Sequence, residues 1–293
     1  KIYTPVAGFI TTNTNKISET FTINPMALYK GEKEARKPFY TRFYSISTLL
    51  LDRKVLPTNL WQFIALGQES LQDTMLINTN QNVRSTLFFN RGNPKYSVDY
   101  TYVSNESKQL LTNGFDSRSA QENIMNVRVN LGGQFTLNTR MSEGKKLYAS
   151  QFFTQNDFNY TFYEVEPKLQ ILFKKIYRIE LKSKYYTAAN QAQYGGESSE
   201  SLALGAAFKY AKANKGTFDF DGNYIRVNYD GSVSSNLGYE LLRGLQDGDN
   251  LTWRFGYQRT LQNNVQLVVS YNGRKSEETP IIHIGRLVAR YLF

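Results

Sequence analysis

The residues that could do chemistry in this chain are few, because it contains one histidine and no cysteine. A serine hydrolase needs a histidine within hydrogen-bond reach of its nucleophilic serine. His283 lies near Ser270 and Ser276 in the sequence, but the alternation of the segments predicts that His283 and Ser270 face opposite sides of a sheet. We therefore expect no catalytic triad and no enzyme activity. The lack of cysteine also excludes a thiolate zinc site.

Two acidic stretches, DFDGN (219–223) and DGDN (247–250), carry the closely spaced oxygen ligands that suit Ca²⁺. Neither is followed by the glutamate that completes a calcium loop, and Asp and Gly are also ordinary turn residues. The first stretch follows a predicted short turn, and the second ends a predicted long loop. We predict no metal site and no cofactor, with Asp247 and Asp249 as the candidates should a cation bind.

The chain carries 35 basic and 25 acidic residues, a formal net charge of +10. This excess indicates an anionic partner, and by charge alone nucleic acid, lipopolysaccharide and anionic solutes all fit. Basic and aromatic residues alternate along the chain, however, so they fall on opposite faces of each predicted strand. A stacking platform for bases cannot form in that way, and we expect no binding of nucleic acid.

The elements that would position these residues are strands. In KYSVDYTYV, residues 95–103, apolar and polar side chains alternate with a period of two. No run of 18 apolar residues exists that could form a transmembrane helix. From residue 78 onward this pattern predicts eleven strands, at 82–90, 95–103, 123–131, 135–141, 158–173, 177–187, 201–211, 217–229, 250–261, 265–274 and 282–293.

The lengths of the connections alternate. Short connections are predicted at 91–94, 132–134, 174–176, 212–216 and 262–264, and long ones at 104–121, 142–157, 188–200, 230–249 and 275–281. Outer-membrane barrels have short turns at one end and longer loops at the other. A soluble sandwich with Greek-key links, the alternative, has no reason to keep this rhythm. We therefore predict an all-β fold: a transmembrane, antiparallel, up-and-down β-barrel in the bacterial outer membrane.

Two hairpins predict the register of this barrel. Turns at 174–176 and 262–264 place Phe173 opposite Tyr177 and Leu261 opposite Val265. Both hairpins then have one apolar face, which would contact lipid, and one charged face, which would line a polar interior. The inward charges predicted across the barrel are Arg84, Arg128, Glu164, Glu166, Lys168, Arg178, Glu180, Lys182, Lys184, Arg226, Arg254, Arg274, Arg286 and Arg290.

Aromatic residues cluster near the predicted strand ends, as expected for the two girdles of a membrane barrel. Those near the short turns or the C-terminus are Phe89, Tyr96, Phe135, Phe173, Tyr177, Tyr210, Tyr291 and Phe293. Those towards the long loops are Tyr102, Tyr163, Tyr185, Tyr229, Trp253 and Tyr271.

Residues 1–77 are predicted to supply the N-terminal strands and a long outer loop of the same barrel, with 78–293 as its main part. Candidate strands lie at 3–12, 16–26 and 40–52, and a short helix at 59–73. Three added strands give fourteen in total, and one gives twelve; we predict fourteen. The first sixteen residues have no secretory signal pattern, which leaves a mature chain, a cytosolic chain or a fragment of a longer protein.

The end of the chain resembles the C-terminal signal by which barrel-assembly machinery recognises outer-membrane proteins. Its elements here would be Arg286, Tyr291 and Phe293. The segments FDFDGNYIRVNYDG, LGYELLRGLQDGDNLTW and VQLVVSYNGRKSEETPIIHIG resemble the closing barrel segments of large, mostly uncharacterised outer-membrane proteins of Bacteroidota. The resemblance covers about residues 122–293. It implies that the barrel is the C-terminal part of a longer chain, and it brings no catalytic residues.

The leading functional hypothesis is a channel, or a membrane anchor, within a larger transport, secretion or outer-membrane assembly complex. Its expected partners are outer-membrane lipids, lipopolysaccharide, the barrel-assembly machinery and other outer-membrane or periplasmic proteins. One alternative is a non-conducting scaffold or surface-binding barrel whose long loops bind partners, and another is an outer-membrane lipid or peptide hydrolase. Eleven of the fourteen predicted inward charges are Lys or Arg, so a conducting barrel should prefer anions.

Overall fold

The computed structural model describes residues 12–28, 38–56, 76–112, 114–212, 216–261, 265–277 and 279–291. Within them the chain forms the strands β1 (Asn13–Ile23), β2 (Phe43–Val55), β3 (Leu76–Phe89), β4 (Tyr96–Leu111), β5 (Gly114–Leu131), β6 (Phe135–Ser150), β7 (Phe158–Phe173), β8 (Tyr177–Asn190), β9 (Ser198–Lys212), β10 (Gly216–Asp230), β11 (Gly248–Thr260), β12 (Val265–Ser276) and β13 (Ile282–Tyr291). One α-helix, α1 (Asn236–Leu242), lies between β10 and β11.

These strands form a single sheet in sequence order, and each pairs antiparallel with the next. The predicted all-β, antiparallel, up-and-down fold is therefore confirmed. All eleven strands predicted after residue 78 are present, and β1 and β2 correspond to the segments predicted at 16–26 and 40–52. The described residues thus hold thirteen strands, one fewer than the predicted fourteen. The segment predicted at 3–12 lies almost wholly outside the described residues, as does the helix at 59–73.

The predicted register of both hairpins is confirmed. Phe173 pairs with Tyr177 across a turn at 174–176, where Lys174 and Lys175 adopt positive φ. Trp253 pairs with Gly273 in the second hairpin. The turn at 262–264 lies outside the described residues, but the amide of Leu261 donates to the carbonyl of Val265 at 2.6 Å. The two-residue period of these segments was sufficient to fix which side chains share a face.

The strands extend further towards the long connections than the sequence predicts. β4 and β5 pair continuously to Leu111 and Gly114, so most of the predicted loop 104–121 is a hairpin. β6 likewise continues to Ser150, inside the predicted loop 142–157. These extensions have polar residues on both faces, so they lack the apolar alternation from which strands are predicted. We call the end of the sheet with the longer connections its loop end, and the opposite end its turn end.

The two faces of the sheet differ in chemistry. One face, the outer face, exposes large apolar side chains, with Leu181, Leu204 and Leu287 between 48% and 69% exposed. Near the turn end its aromatic rings contact one another from strand to strand, as in Tyr177–Tyr210 (5.3 Å between centroids) and Phe218–Phe255 (5.0 Å). None of the helices among the described residues has the length and apolar character needed to cross a membrane.

The opposite, inner face curves around helix α1. Although α1 follows β10, its Leu237 and Leu241 pack against aromatic side chains of β7 and β8. The helix also reaches Lys146 on β6 through Glu240. Residues of the helix also line one cavity together with residues of β3–β7, so the inner face of the sheet curves around the helix. The apolar cluster of the protein therefore lies inside the curved sheet, at its loop end.

Candidate functional site

The candidate site is the part of the interior that helix α1 occupies. The helix begins where the Ser235 hydroxyl accepts a hydrogen bond from the Gly238 amide at 2.8 Å, as a good N-cap does. It ends at Arg243, which adopts a left-handed conformation with φ of 52°. Leu237, Leu241 and Leu242 are each 5% exposed or less. Seven helical residues are too few to be stable alone, so packing on the sheet must hold this helix.

The packing partners of α1 are aromatic. Phe158, Tyr160 and Phe162 project from alternate positions of β7, and Tyr186 projects from β8 beside them. The rings form a continuous chain with centroid distances between 5.7 and 6.3 Å. Burial of this apolar surface stabilises the docked helix by roughly 25 cal/mol per Å² removed from water.

A glycine on β6 leaves space for these aromatic rings. A Cβ added at Gly144 on β6 would lie 2.8 Å from the ring of Phe162, so a side chain at that position would displace the ring. Gly144 pairs directly with Phe162 across the two strands. Only glycine at position 144 allows the Phe162 ring to approach the backbone of β6 this closely.

Charged residues fasten the C-terminal end of the helix. The guanidinium of Arg243 donates to Glu164 at 2.6 Å and lies 3.7 Å above the ring of Tyr186. Lys184 forms a second ion pair with the same carboxylate, at 3.1 Å, and the Glu164 side chain is only 9% exposed. Burial by itself lowers the pKa of Arg243, but its hydrogen bonds and charge interactions with Glu164 and Tyr186 together outweigh burial and raise that pKa above its ordinary value. A carboxylate this buried is stable as an ion because two cations share it.

The connection that carries α1 is closed by hydrogen bonds at its base. The buried Asn250 donates to the carbonyl of Gln246 at 2.7 Å and accepts from the Ser276 hydroxyl at 2.7 Å. Asp247 accepts from the backbone amide of Tyr229 at 2.8 Å. The helix therefore sits on a loop whose two ends are fixed to the strands.

The acidic pair considered for a cation is used in this way. Asp247 closes the loop, and Asp249 accepts from the Tyr224 hydroxyl at 2.7 Å on the outer face. The two carboxylates thus serve different contacts. Over the described ranges, no group of three or more His, Asp or Glu side chains is placed to hold a metal ion.

The register places thirteen of the fourteen predicted inward charges on the inner face, which is identified by the buried aromatic residues of β7. Arg226 is the exception, and its prediction was wrong. It pairs with Leu202 and Asp249, both on the outer face. Tyr229, predicted in the outer girdle, lies on the inner face against the α1 cluster. The interior at this end is apolar because α1 fills it, so Val227 turns inward and Arg226 turns outward.

Several inward charges form ion pairs. The predicted turn at 174–176 sets Glu166 opposite Lys184, and the flanking strand pairs keep this register. The ion pairs nevertheless join Lys184 to Glu164 at 3.1 Å and Lys168 to Glu166 at 2.9 Å. Lys182 on β8 reaches across β9 to Asp221 on β10, at 2.6 Å. The strand between them offers Gly205 at that level, and a Cβ there would lie 2.6 Å from the Cε of Lys182. Because Gly205 has no side chain, the side chain of Lys182 can cross β9 and reach Asp221.

The arginines of the last three strands differ from these. Arg254, Arg274, Arg286 and Arg290 lie inward and are exposed. Within the part of the chain that the structure describes, none of the four forms an ion pair. Asp221, opposite Arg254 in the register, is bound to Lys182 instead.

The remaining sequence candidates lie at the edge of the sheet or on its outer face. His283 faces outward, as predicted, where its Nδ1 is 2.7 Å from the Tyr271 hydroxyl and its ring lies 6.2 Å from that of Trp253. Of the proposed assembly signal, Arg286 lies inward and Tyr291 outward on β13, and Phe293 lies outside the described residues. The signal itself remains a prediction.

The sequence did not predict helix α1, although a local signal exists. Ser235 is a preferred N-cap residue, and Leu237 and Leu241 are spaced to share one helical face. The segment is short and lies inside a stretch interpreted as a loop. Its partners on β7 and β8 are about 50 to 80 residues away in the sequence, and periodicity within a segment does not predict contacts over that separation.

No protein-family model matches this sequence. Comparison with curated proteins likewise gives no match. Among solved structures the chain is similar to the translocator domain of the autotransporter NalP from Neisseria meningitidis, at 10% identity, covering 99% of this chain and 90% of that chain with a TM-score of 0.31. It is also similar to the beta domain of the Bordetella autotransporter BrkA, at 12% identity, covering 86% and 92% with a TM-score of 0.30. The toluene transporter TodX of Pseudomonas putida matches at 9% identity over 96% and 85%, with a TM-score of 0.31.

Proposed function

We propose that the chain forms an integral β-barrel of the bacterial outer membrane that serves transport or secretion, and that helix α1 holds its interior shut at the loop end. The observation that carries this proposal is the helix itself, buried inside the curved sheet and tied to Glu164 by Arg243. A segment that lay only on the surface would leave its side chains exposed, whereas α1 buries three leucines and its Arg243 is ion-paired in the interior.

The membrane setting is supported by the outer face. Its exposed leucines and phenylalanines suit contact with lipid, whereas in water they would form an aggregation-prone surface. Its tyrosine hydroxyls at the loop end bind polar groups of the next strand, such as Tyr185 to Glu200 at 3.0 Å and Tyr224 to Asp249 at 2.7 Å. Rings with an apolar body and a polar tip suit the level of lipid headgroups.

Gel mobility tests the membrane setting. Protein extracted in detergent should migrate differently before and after boiling, because a membrane barrel resists unfolding by dodecyl sulfate at room temperature. It should also precipitate when detergent is withdrawn. A chain that stays in buffer without detergent, with no change of mobility on heating, would exclude an integral barrel.

Conductance in a planar bilayer tests the closure. The intact chain should conduct rarely, and a variant with residues 233–245 replaced by a Gly-Ser linker should conduct steadily, because the linker cannot bury itself on β7 and β8. The matched control replaces the connection 191–197, which carries no α-helix, and should stay closed. Steady conductance by the intact chain would remove the closure from the proposal. Silence of the linker variant would favour the non-conducting scaffold instead.

From the residue resemblance over 122–293 alone, we propose a barrel of a large Bacteroidota outer-membrane protein that works with other outer-membrane or periplasmic proteins and with lipopolysaccharide. Purification from native membranes in mild detergent tests this, and recovery of the chain alone would count against such a complex.

A further inference from the structure

A cavity of about 500 Å³ lies inside the curved sheet, between helix α1 and the inner face of β3–β7. This volume is in the range of sites that take small organic ligands. Rings line the cavity at Tyr148, Phe158 and Tyr239, and its charged lining residues are Arg118, Lys146, Glu106 and Glu240. None of them belongs to the contacts that fasten Arg243 to Glu164.

Aromatic rings form the apolar walls of the cavity. Tyr148 and Phe158 are stacked with centroids 5.6 Å apart. The Tyr148 hydroxyl donates to Asp116 at 2.9 Å, which fixes the orientation of that ring. Tyr239 projects from α1 with 75% of its surface exposed, so its ring is open to a ligand. A planar ring could bind between these walls.

The cations of the cavity are not equivalent. Lys146 is bound to Glu240 of the helix at 3.4 Å. The guanidinium of Arg118 lies 5.3 Å above the ring of Tyr148, and it forms no ion pair with any residue that the structure describes. Arginine presents a planar fork of donors that matches carboxylate and phosphate oxygens. Arg118 is therefore positioned to bind an anionic group beside the aromatic walls.

We infer that this cavity binds a ring-bearing organic anion, with Arg118 on the carboxylate or phosphate and Tyr148 and Tyr239 on the ring. The inference rests on the proposed function only for the membrane setting, and it adds the class of ligand. Because α1 supplies one wall, a ligand bound there contacts the element that shuts the interior.

Calorimetric titration of the full chain in lipid nanodiscs tests the inference, with empty nanodiscs subtracted. The probes are 2-naphthoate, 2-naphthyl phosphate and the neutral 2-naphthalenemethanol. Both anions should bind at least about tenfold more tightly than the alcohol, because a hydrogen-bonded charge is worth that factor or more. The stronger of the two anions identifies the anionic group. Equal binding of the alcohol, or no binding of any probe, would overturn the inference.

Variants assign the anion contact to one residue. Arg118→Met should weaken both anions about tenfold or more and leave the alcohol unchanged, and Arg118→Lys should recover part of the loss. Arg254→Met, which removes an inward guanidinium on β11, is the matched control and should not alter binding. An equal loss in both methionine variants would show general attraction to a basic interior and refute the site. Unchanged gel mobility confirms that each variant folds. Binding by the intact chain, together with no conductance from the variant in which a linker replaces residues 233–245, would leave this inference standing and remove transport.

Discussion

The inner face has two regions that use charge in opposite ways. On β5–β10 most carboxylates hold a cation, as Glu164 holds Lys184 and Arg243, and Asp221 holds Lys182. Arg118 of β5 is exposed and, among the described residues, forms no ion pair. On β11–β13 the inward cations are arginines that are exposed and, within the described ranges, not ion-paired. The role of an inward cation therefore depends on whether it pairs with a carboxylate and not on its residue type. Paired cations fix the helix and the strands in place, and unpaired cations are available to solutes.

The difference follows from solvation. Where α1 and the aromatic rings exclude water, a charge without a partner would cost several kcal/mol, so Glu164 needs both of its cations. Where the interior stays wet, a guanidinium keeps its hydration and needs no carboxylate.

Leu241→Asp should release helix α1. The side chain is 2% exposed, and an unpaired carboxylate there should weaken docking by about 3 kcal/mol or more, roughly a hundredfold in population. Steady conductance in a planar bilayer is the expected result. Tyr239→Asp, on the exposed side of the same helix, should stay closed. A silent Leu241→Asp variant would mean that the helix does not close the interior.

Glu164→Gln should loosen the same helix by about 2 kcal/mol, because Arg243 and Lys184 both lose their carboxylate. Faster hydrogen exchange of the amides of 236–242 is the measurement. Glu166→Gln is the control: it removes one pair between partly exposed groups, a loss of about 0.5 kcal/mol. Equal hydrogen-exchange rates in the two variants would show that buried and solvent-exposed ion pairs stabilise the helix to the same extent.

Arg254→Glu with Arg274→Glu should change selectivity and leave closure intact. In a chain whose α1 has been replaced by the linker, the reversal potential in a salt gradient should shift towards cations, because these arginines face the solute path unpaired. The charge swap Lys182→Asp with Asp221→Lys keeps the net charge and its pair, so it should hardly shift the potential. A larger shift of the reversal potential in the charge-swap variant than in the double arginine variant would contradict the difference between paired and unpaired charges.

Gly205→Ala should have the smallest effect. Its methyl group would meet Lys182 and Asn223 and disturb the bridge to Asp221, at a cost of about 1 kcal/mol or less since the displaced ends are flexible. The urea midpoint of unfolding should fall slightly. Gly222→Ala, where the nearest ring atom is 3.3 Å away on the outer face, should be near neutral. A larger loss at 222 would show that the outer face, not the bridge, is sensitive.

Sequence periodicity was reliable where its physical premise held. The register of β11 and β12 could be predicted because one face there is apolar and the other wet throughout. Arg226 was misplaced because that premise fails at the loop end, where α1 makes the interior apolar and Val227 turns inward. The ion pairs of Glu164 also escaped prediction. The pair with Arg243 depends on a helix contributed by a connection some 70 residues further along the chain.

The hairpin of β4 and β5 has a consequence for what meets the cell from outside. β5 has 18 residues, which at about 3.3 Å each and a tilt near 40° rise roughly 45 Å, against an apolar band of about 25 Å. In the proposed membrane some 20 Å of paired strand would therefore stand clear of lipid, at the loop end. An antibody or a phage would encounter there a rigid ribbon. Its epitopes would be assembled from two strands, so short synthetic peptides from 104–121 should be poor immunogens for the native surface.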